Sequence, residues 1–159
     1  MLENKFVTFG KLKTLNKTIL VPENAGLRLI LSSCNMTGKA ETPLINLLDK
    51  KWGKVKAEIK GWFATRQGFT LGNINATAVQ SDTWVVHMLC LNDKEEMDAK
   101  ALNNCLKKTL EMARYEKATV HVSSLLLEQL PALKDLLETI FVSNGISVCV
   151  YNEPVTVSQ

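Results

Sequence analysis

Apolar positions along this chain alternate between two spacings. Leu27–Leu31 and Thr83–Leu91 are continuous apolar runs, as strands covered on both faces require. Thr42–Trp52 instead carries Leu44, Ile45, Leu47, Leu48 and Trp52 at helical spacing. Thr42 is placed as its N-cap, Pro43 as its first residue, and Gly53 breaks it. Val55–Phe63 predicts a second short helix, with Val55, Ile59, Trp62 and Phe63 facing inward. Asn73–Val79 alternates weakly, and Ser81-Asp82 reads as a hairpin turn into the strand at Thr83. Asp98 caps a long amphipathic helix whose apolar stripe is Leu102, Cys105, Leu106, Thr109, Leu110 and Ala113. Residues 118–122 follow as a buried strand, then a helix over Leu125–Phe141, with Pro131 implying a kink or a 3₁₀ lead-in. Asn144-Gly145 stops that helix, and Ile146–Tyr151 is the last strand. Phe6–Phe9 and Thr18–Val21 are further short apolar runs, the second closed by the turn at Pro22–Gly26. Asn152–Gln159 reads as a loose tail.

Strands alternating with helices predict an α/β layer fold. One junction is unusually tight. Only Ser123 and Ser124 separate the strand at 118–122 from the helix after it, and neither is glycine. Ligands of open α/β sheets sit at such junctions, where glycines let a phosphate approach backbone N–H groups. The scaffold for an anion site is present here without its usual loop.

Composition narrows the picture without naming a task. The chain of 159 residues suffices for one domain, with 46% hydrophobic and 22% charged residues. A net charge of +3 is too mild to imply nucleic acid. The basic residues are uneven, however: Lys50, Lys51, Lys54, Lys56, Lys60 and Arg66 are balanced only by Asp49 and Glu58. They form either a solvated helix face or a surface for an acidic partner. Cys34, Cys90, Cys105 and Cys149 show no C-x-x-C spacing, and with two histidines they make no zinc set. Cys34, Cys90 and Cys149 sit in apolar runs, so buried thiols and a reducing intracellular, cytoplasmic setting are expected. No signal-peptide core or membrane-length apolar run occurs, so no membrane partner is expected.

Several segments, in order, resemble macro domains, and most closely the branch that hydrolyses ADP-ribose esters. They are Leu31–Asn35, Lys51-Trp52, Leu71-Gly72-Asn73, Gln80–Leu89, Ala101–Leu110, Ala118–Val122 and Asn144–Tyr151. The resemblance covers nearly the whole chain. It implies a single domain over 1–152 with a tail at 153–159. It also implies a mixed central sheet of about six strands between helical layers, and an ADP-ribose cleft made by two glycine-rich loops. Asn35 falls where that family has a ligand-facing asparagine.

The departures fall on the cleft. The first glycine-rich loop is replaced by Met36–Pro43, where only Gly38 suits a tight turn and Pro43 lacks an N–H. The second should follow Val122 and is largely absent. The family's early glycine-aspartate pair is Gly10-Lys11 here, and its strand asparagine is His87. Lys94 lies near a nucleophilic lysine of part of the branch, but acidic neighbours should keep it protonated. Candidate cleft residues are Asn35, Met36, Thr37, Gly38, Lys39, Ser123, Ser124 and Asn152. Asn35 is also a plausible turn former, and Lys39 a plain loop lysine. No catalytic residue, metal ligand or cofactor is assigned. Three readings stay open: a non-enzymatic adaptor that binds another protein, a binder of ADP-ribose or a related NAD-derived nucleotide, and an ADP-ribosyl hydrolase that lacks an identified base. Loss of a site over an intact core is a pattern typical of phage or viral genes.

Overall fold

The fold is that of a computed structural model, which describes residues 9–154. The chain runs β1 (Leu12–Leu15), β2 (Arg28–Asn35), α1 (Pro43–Trp52), α2 (Val55–Thr65), β3 (Ile74–Gln80), β4 (Thr83–Leu91), α3 (Ala99–Glu116), β5 (Thr119–Ser123), α4 (Ser124–Gln129), α5 (Leu133–Leu136) and β6 (Val148–Tyr151). A π-helical turn over Leu137–Phe141 and a 3₁₀ turn over Val142–Asn144 join α5 to β6. The caps follow the local sequence. Thr42 Oγ1 accepts from the Ile45 N–H at 3.0 Å and Asp98 Oδ1 from the Ala101 N–H at 2.8 Å. Gly53 closes α1 at φ 67°.

One six-stranded sheet has the order β1-β6-β5-β2-β4-β3, with only β3 antiparallel to its neighbour. β2 and β5 are adjacent, yet the chain leaves β2 toward β4 and leaves β5 toward β6. That reversal makes the carboxyl ends of β2 and β5 a topological switch point. Their pairing stops at Ile30–His121, although β2 runs on beside β4 to Asn35. The crevice left by this parting is bordered by Ser33, Asn35 and Ser123, all of them buried.

Register sorts the faces. Leu12, Val148, Val150, Val120 and Leu29 share one, where Leu12 and Val150 line a recess with Leu137 of the π turn, which itself packs on α3. Tyr151, His121 and Ile30 share the other, toward α1 and the loop after β1. The result is a three-layer α/β/α domain whose core includes Leu29, Val86, Leu106, Val120 and Phe141, all fully buried.

The short apolar run Thr18–Val21 is a loop: Leu20 N–H bonds Thr18 Oγ1 and Ile19 N–H bonds Glu153. The first strand is instead the half-polar Leu12–Leu15; of Phe6–Phe9, residues 6–8 lie outside the described residues and Phe9 is 64% exposed. The helix over 125–141 is broken. Pro131 has no N–H to give, α4 ends at Gln129, and the chain restarts at Leu133.

Candidate ligand crevice

The strand-to-helix junction is tighter than the sequence implies, because β5 ends at Ser123 and α4 begins at Ser124. Ser123 is fully buried, and its Oγ accepts from the Leu125 N–H at 3.1 Å, capping α4 from within the strand. Ser124 Oγ accepts from the Glu153 N–H at 3.1 Å. Glu153 Oε2 in turn accepts from the Ile19 N–H at 2.8 Å, so residues just past β6 are tied to both the junction and the loop after β1.

α4 lies over the crevice. Ser33 Oγ on β2 donates to Gln129 Oε1 at 2.6 Å, so the last residue of α4 bridges to the strand from which β5 has parted. Ser33 is buried, as is Asn35 beyond it. Asn35 is equally committed. Its Oδ1 accepts from the Thr37 N–H (3.1 Å), the Thr37 hydroxyl (2.6 Å) and the Lys39 N–H (3.3 Å), while Nδ2 reaches Glu95 Oε1 at 3.5 Å. This is an Asx-type turn in which one carboxamide satisfies the loop that follows it. Two N–H groups that could meet a phosphate point at Asn35 instead.

Gly38 has a different reason to be glycine. Its φ is +74°, and a Cβ there would lie 2.3 Å from the Phe63 ring. The loop thus packs on α2 rather than curling round a ligand. Arg66 stacks on the same ring, 3.5 Å from its centroid, and donates to the Phe63 carbonyl at 2.7 Å.

The candidate residues fall into two groups. Asn35, Met36, Thr37, Gly38 and Lys39 form the loop after β2, with Met36, Thr37 and Lys39 exposed. Ser123, Ser124 and Asn152 gather at the ends of β5 and β6. Two recesses adjoin Ser124, and no residue of the first group lines either. One, about 490 Å³, lies among Thr18, Leu47, Leu125, Glu128 and Glu153. The other, about 650 Å³, includes Asn152 and extends under the π turn. Both contain Glu128, and carboxylates oppose a diphosphate. Sequence reasoning passed over Gln129, Glu95 and Glu153, whose roles depend on which strands part company.

The buried titratable groups are held neutral. His121 Nδ1 meets the Tyr151 hydroxyl at 2.7 Å, and that hydroxyl accepts from the Glu23 N–H at 2.8 Å. His121 Nε2 meets Thr119 Oγ1 at 2.7 Å, so each ring nitrogen has a hydroxyl partner. Burial first, then the positive charges of Arg28 and Lys13, lowers the His121 pKa to about 3. Burial likewise takes His87 down to about 4. His87 Nε2 meets Thr77 Oγ1 at 2.8 Å, whereas His87 Nδ1 and the cross-strand Ser32 Oγ have no partner among the described residues. Burial pushes the Cys34, Cys90 and Cys105 thiols well up, against thiolate chemistry. Lys94 is exposed in a turn capped by Asn92.

The basic segment lies on α1 and α2, and half of it is engaged within the molecule. Lys51 Nζ donates to the Leu20 carbonyl, Lys56 pairs with Glu41 at 3.1 Å, and Arg66 holds Phe63. Lys50, Lys54 and Lys60 are exposed and outside any ion pair among the described residues. No helix among those residues is long and apolar enough to cross a membrane.

A mixed six-stranded α/β/α domain with its switch point between β2 and β5 defines a class of layered α/β folds. Comparison with solved structures makes that class specific: the chain has the macro-domain fold. It is similar to a macrodomain protein from Streptomyces coelicolor at 20% identity, over 91% of this chain and 100% of that one, with a TM-score of 0.81. The macrodomain of Thermus aquaticus DarG is similar at 12% identity over 90% and 99%, with a TM-score of 0.67. Thermosipho africanus DarTG, solved in complex with ADP-ribose, is similar at 13% identity over 84% of this chain and 39% of that one, with a TM-score of 0.65. No family model matches the chain, and neither does any curated protein.

Proposed function

We propose that this protein is a non-enzymatic macro-fold module that binds another protein, an adaptor rather than a hydrolase. The observation that carries this reading is the filling of the switch-point crevice by the chain itself. Gln129 of α4 bonds Ser33, and Asn35 bonds its own loop. Such contacts leave few N–H donors for a diphosphate, while the surrounding core is complete. A fold kept without its anion loops is available for another use. Affinity capture with the full chain from its native host tests the reading. The expected result is a stoichiometric protein partner; recovery of none counts against it.

A second reading has its own support. DarTG was solved with ADP-ribose, and the recess of about 490 Å³ lies at the strand carboxyl ends where such a ligand sits in open α/β folds. In that reading the recess takes ADP-ribose or a related NAD-derived nucleotide, contacted by Ser124. Calorimetry with ADP-ribose separates the two.

A further inference from the structure

We propose that the outer edge of β1, with the cavity beside it, is a docking groove for an extended basic segment of a partner protein. The proposal deepens the reading of this fold as a protein-binding module and rests on it.

The backbone supplies the first argument. The Lys11 and Leu15 carbonyls accept from the Val148 and Asn152 N–H groups, both at 2.8 Å. In a parallel pair, alternate residues turn their polar groups to the same side. Lys11, Lys13 and Leu15 therefore face β6, and Leu12 and Thr14 present N–H and C=O outward. β1 is the end strand of the sheet, and no other described strand pairs with those groups. Native edges are commonly blocked by outward charge, proline or a bulge. Leu12 and Thr14 offer none of these.

The side chains supply the second. Leu12 and Thr14 point to the face where a cavity of about 650 Å³ lies, a size suited to inserted side chains. Leu127, Leu137 and Val150 give it an apolar floor. One wall is the π-helical turn, an irregularity often found at binding sites. A strand added to β1 would send alternate side chains into this space.

Charge supplies the third and fixes the partner's chemistry. Glu128, Asp135 and Glu138 line the cavity, against the single cation Lys134. None of these four is in an ion pair among the described residues. Lys13 lies on the opposite face, 3.9 Å from Glu23. An incoming chain that alternates Lys or Arg with apolar residues matches both floor and rim.

Fluorescence anisotropy on the full chain tests this, with labelled peptides of about nine residues that alternate Lys or Arg with Val, Ile or Leu. Saturable binding is expected, and glutamate-for-lysine versions should not bind. Glu128→Lys with Glu138→Lys, both at exposed positions, should weaken binding at least about tenfold. Thr14→Pro deletes an outward N–H without touching a bond to β6, and should weaken it similarly while net charge is unchanged. The proposal is overturned by a lack of saturable binding by any basic peptide, or by binding that both variants leave intact. A wild-type dimer that Thr14→Pro dissociates would assign the edge to a second copy, and also overturns it. Failure here alongside recovery of a partner by affinity capture removes this surface alone, whereas failure of both removes the module reading as well.

Discussion

Asn35 organises the loop after β2 through one carboxamide, and that economy explains why the loop needs only one glycine. Three bonds converge on its Oδ1, so residues 36–39 are held without a ligand. The two buried histidines bear on stability. Their folded pKa values, about 4 for His87 and about 3 for His121, lie below the ordinary value near 6.5. The unfolded chain thus binds protons that the folded chain excludes. The corresponding stability is complete above pH ~6.5 and is lost as pH falls toward 4 and then 3. At pH 5 the loss should be about 2 kcal/mol per histidine. Urea unfolding at pH 7 and pH 5 checks this, and His87→Gln should remove about half of the difference. Equal midpoints at the two pH values would contradict the assignment of both rings as buried and neutral.

Among the elements, α4 matters most and was least legible. Periodicity reads straight across Leu126, Leu130, Leu133 and Leu137, because all four are buried, but the backbone between them is not one helix. Pro131 was visible as a kink; that it would end α4 over the crevice was not. β1 escaped detection for a different reason. Leu12-Lys13-Thr14-Leu15 is a short edge strand with two exposed residues, and its place is set by pairing with β6, 136 residues on. By contrast α1, β4 and α3 were readable, since caps, continuous apolar runs and an apolar stripe are local signals. The seating of α4 can be measured directly. A double-mutant cycle with Ser33→Ala and Gln129→Ala should give a coupling of about 1 kcal/mol, as for a partly buried hydrogen bond. Coupling near zero would mean that α4 stands clear of β2.

For the molecule as a whole, the order of elements and the missing glycines were both evident in the sequence, and the fold agrees with the resemblance they suggested. What takes the place of a ligand was not evident, because it depends on two adjacent strands diverging after Ile30–His121. Gln129, Glu153 and Glu95 then approach from segments far apart in sequence. A crevice crossed by the Ser33–Gln129 bond, next to a sheet edge that no other described strand pairs with, is the arrangement from which the binding-module reading follows. Isothermal titration of the full chain with ADP-ribose, at high-micromolar protein, is its most direct test. The account predicts no heat beyond dilution. A saturable one-to-one isotherm would contradict it and favour ADP-ribose in the recess beside Ser124.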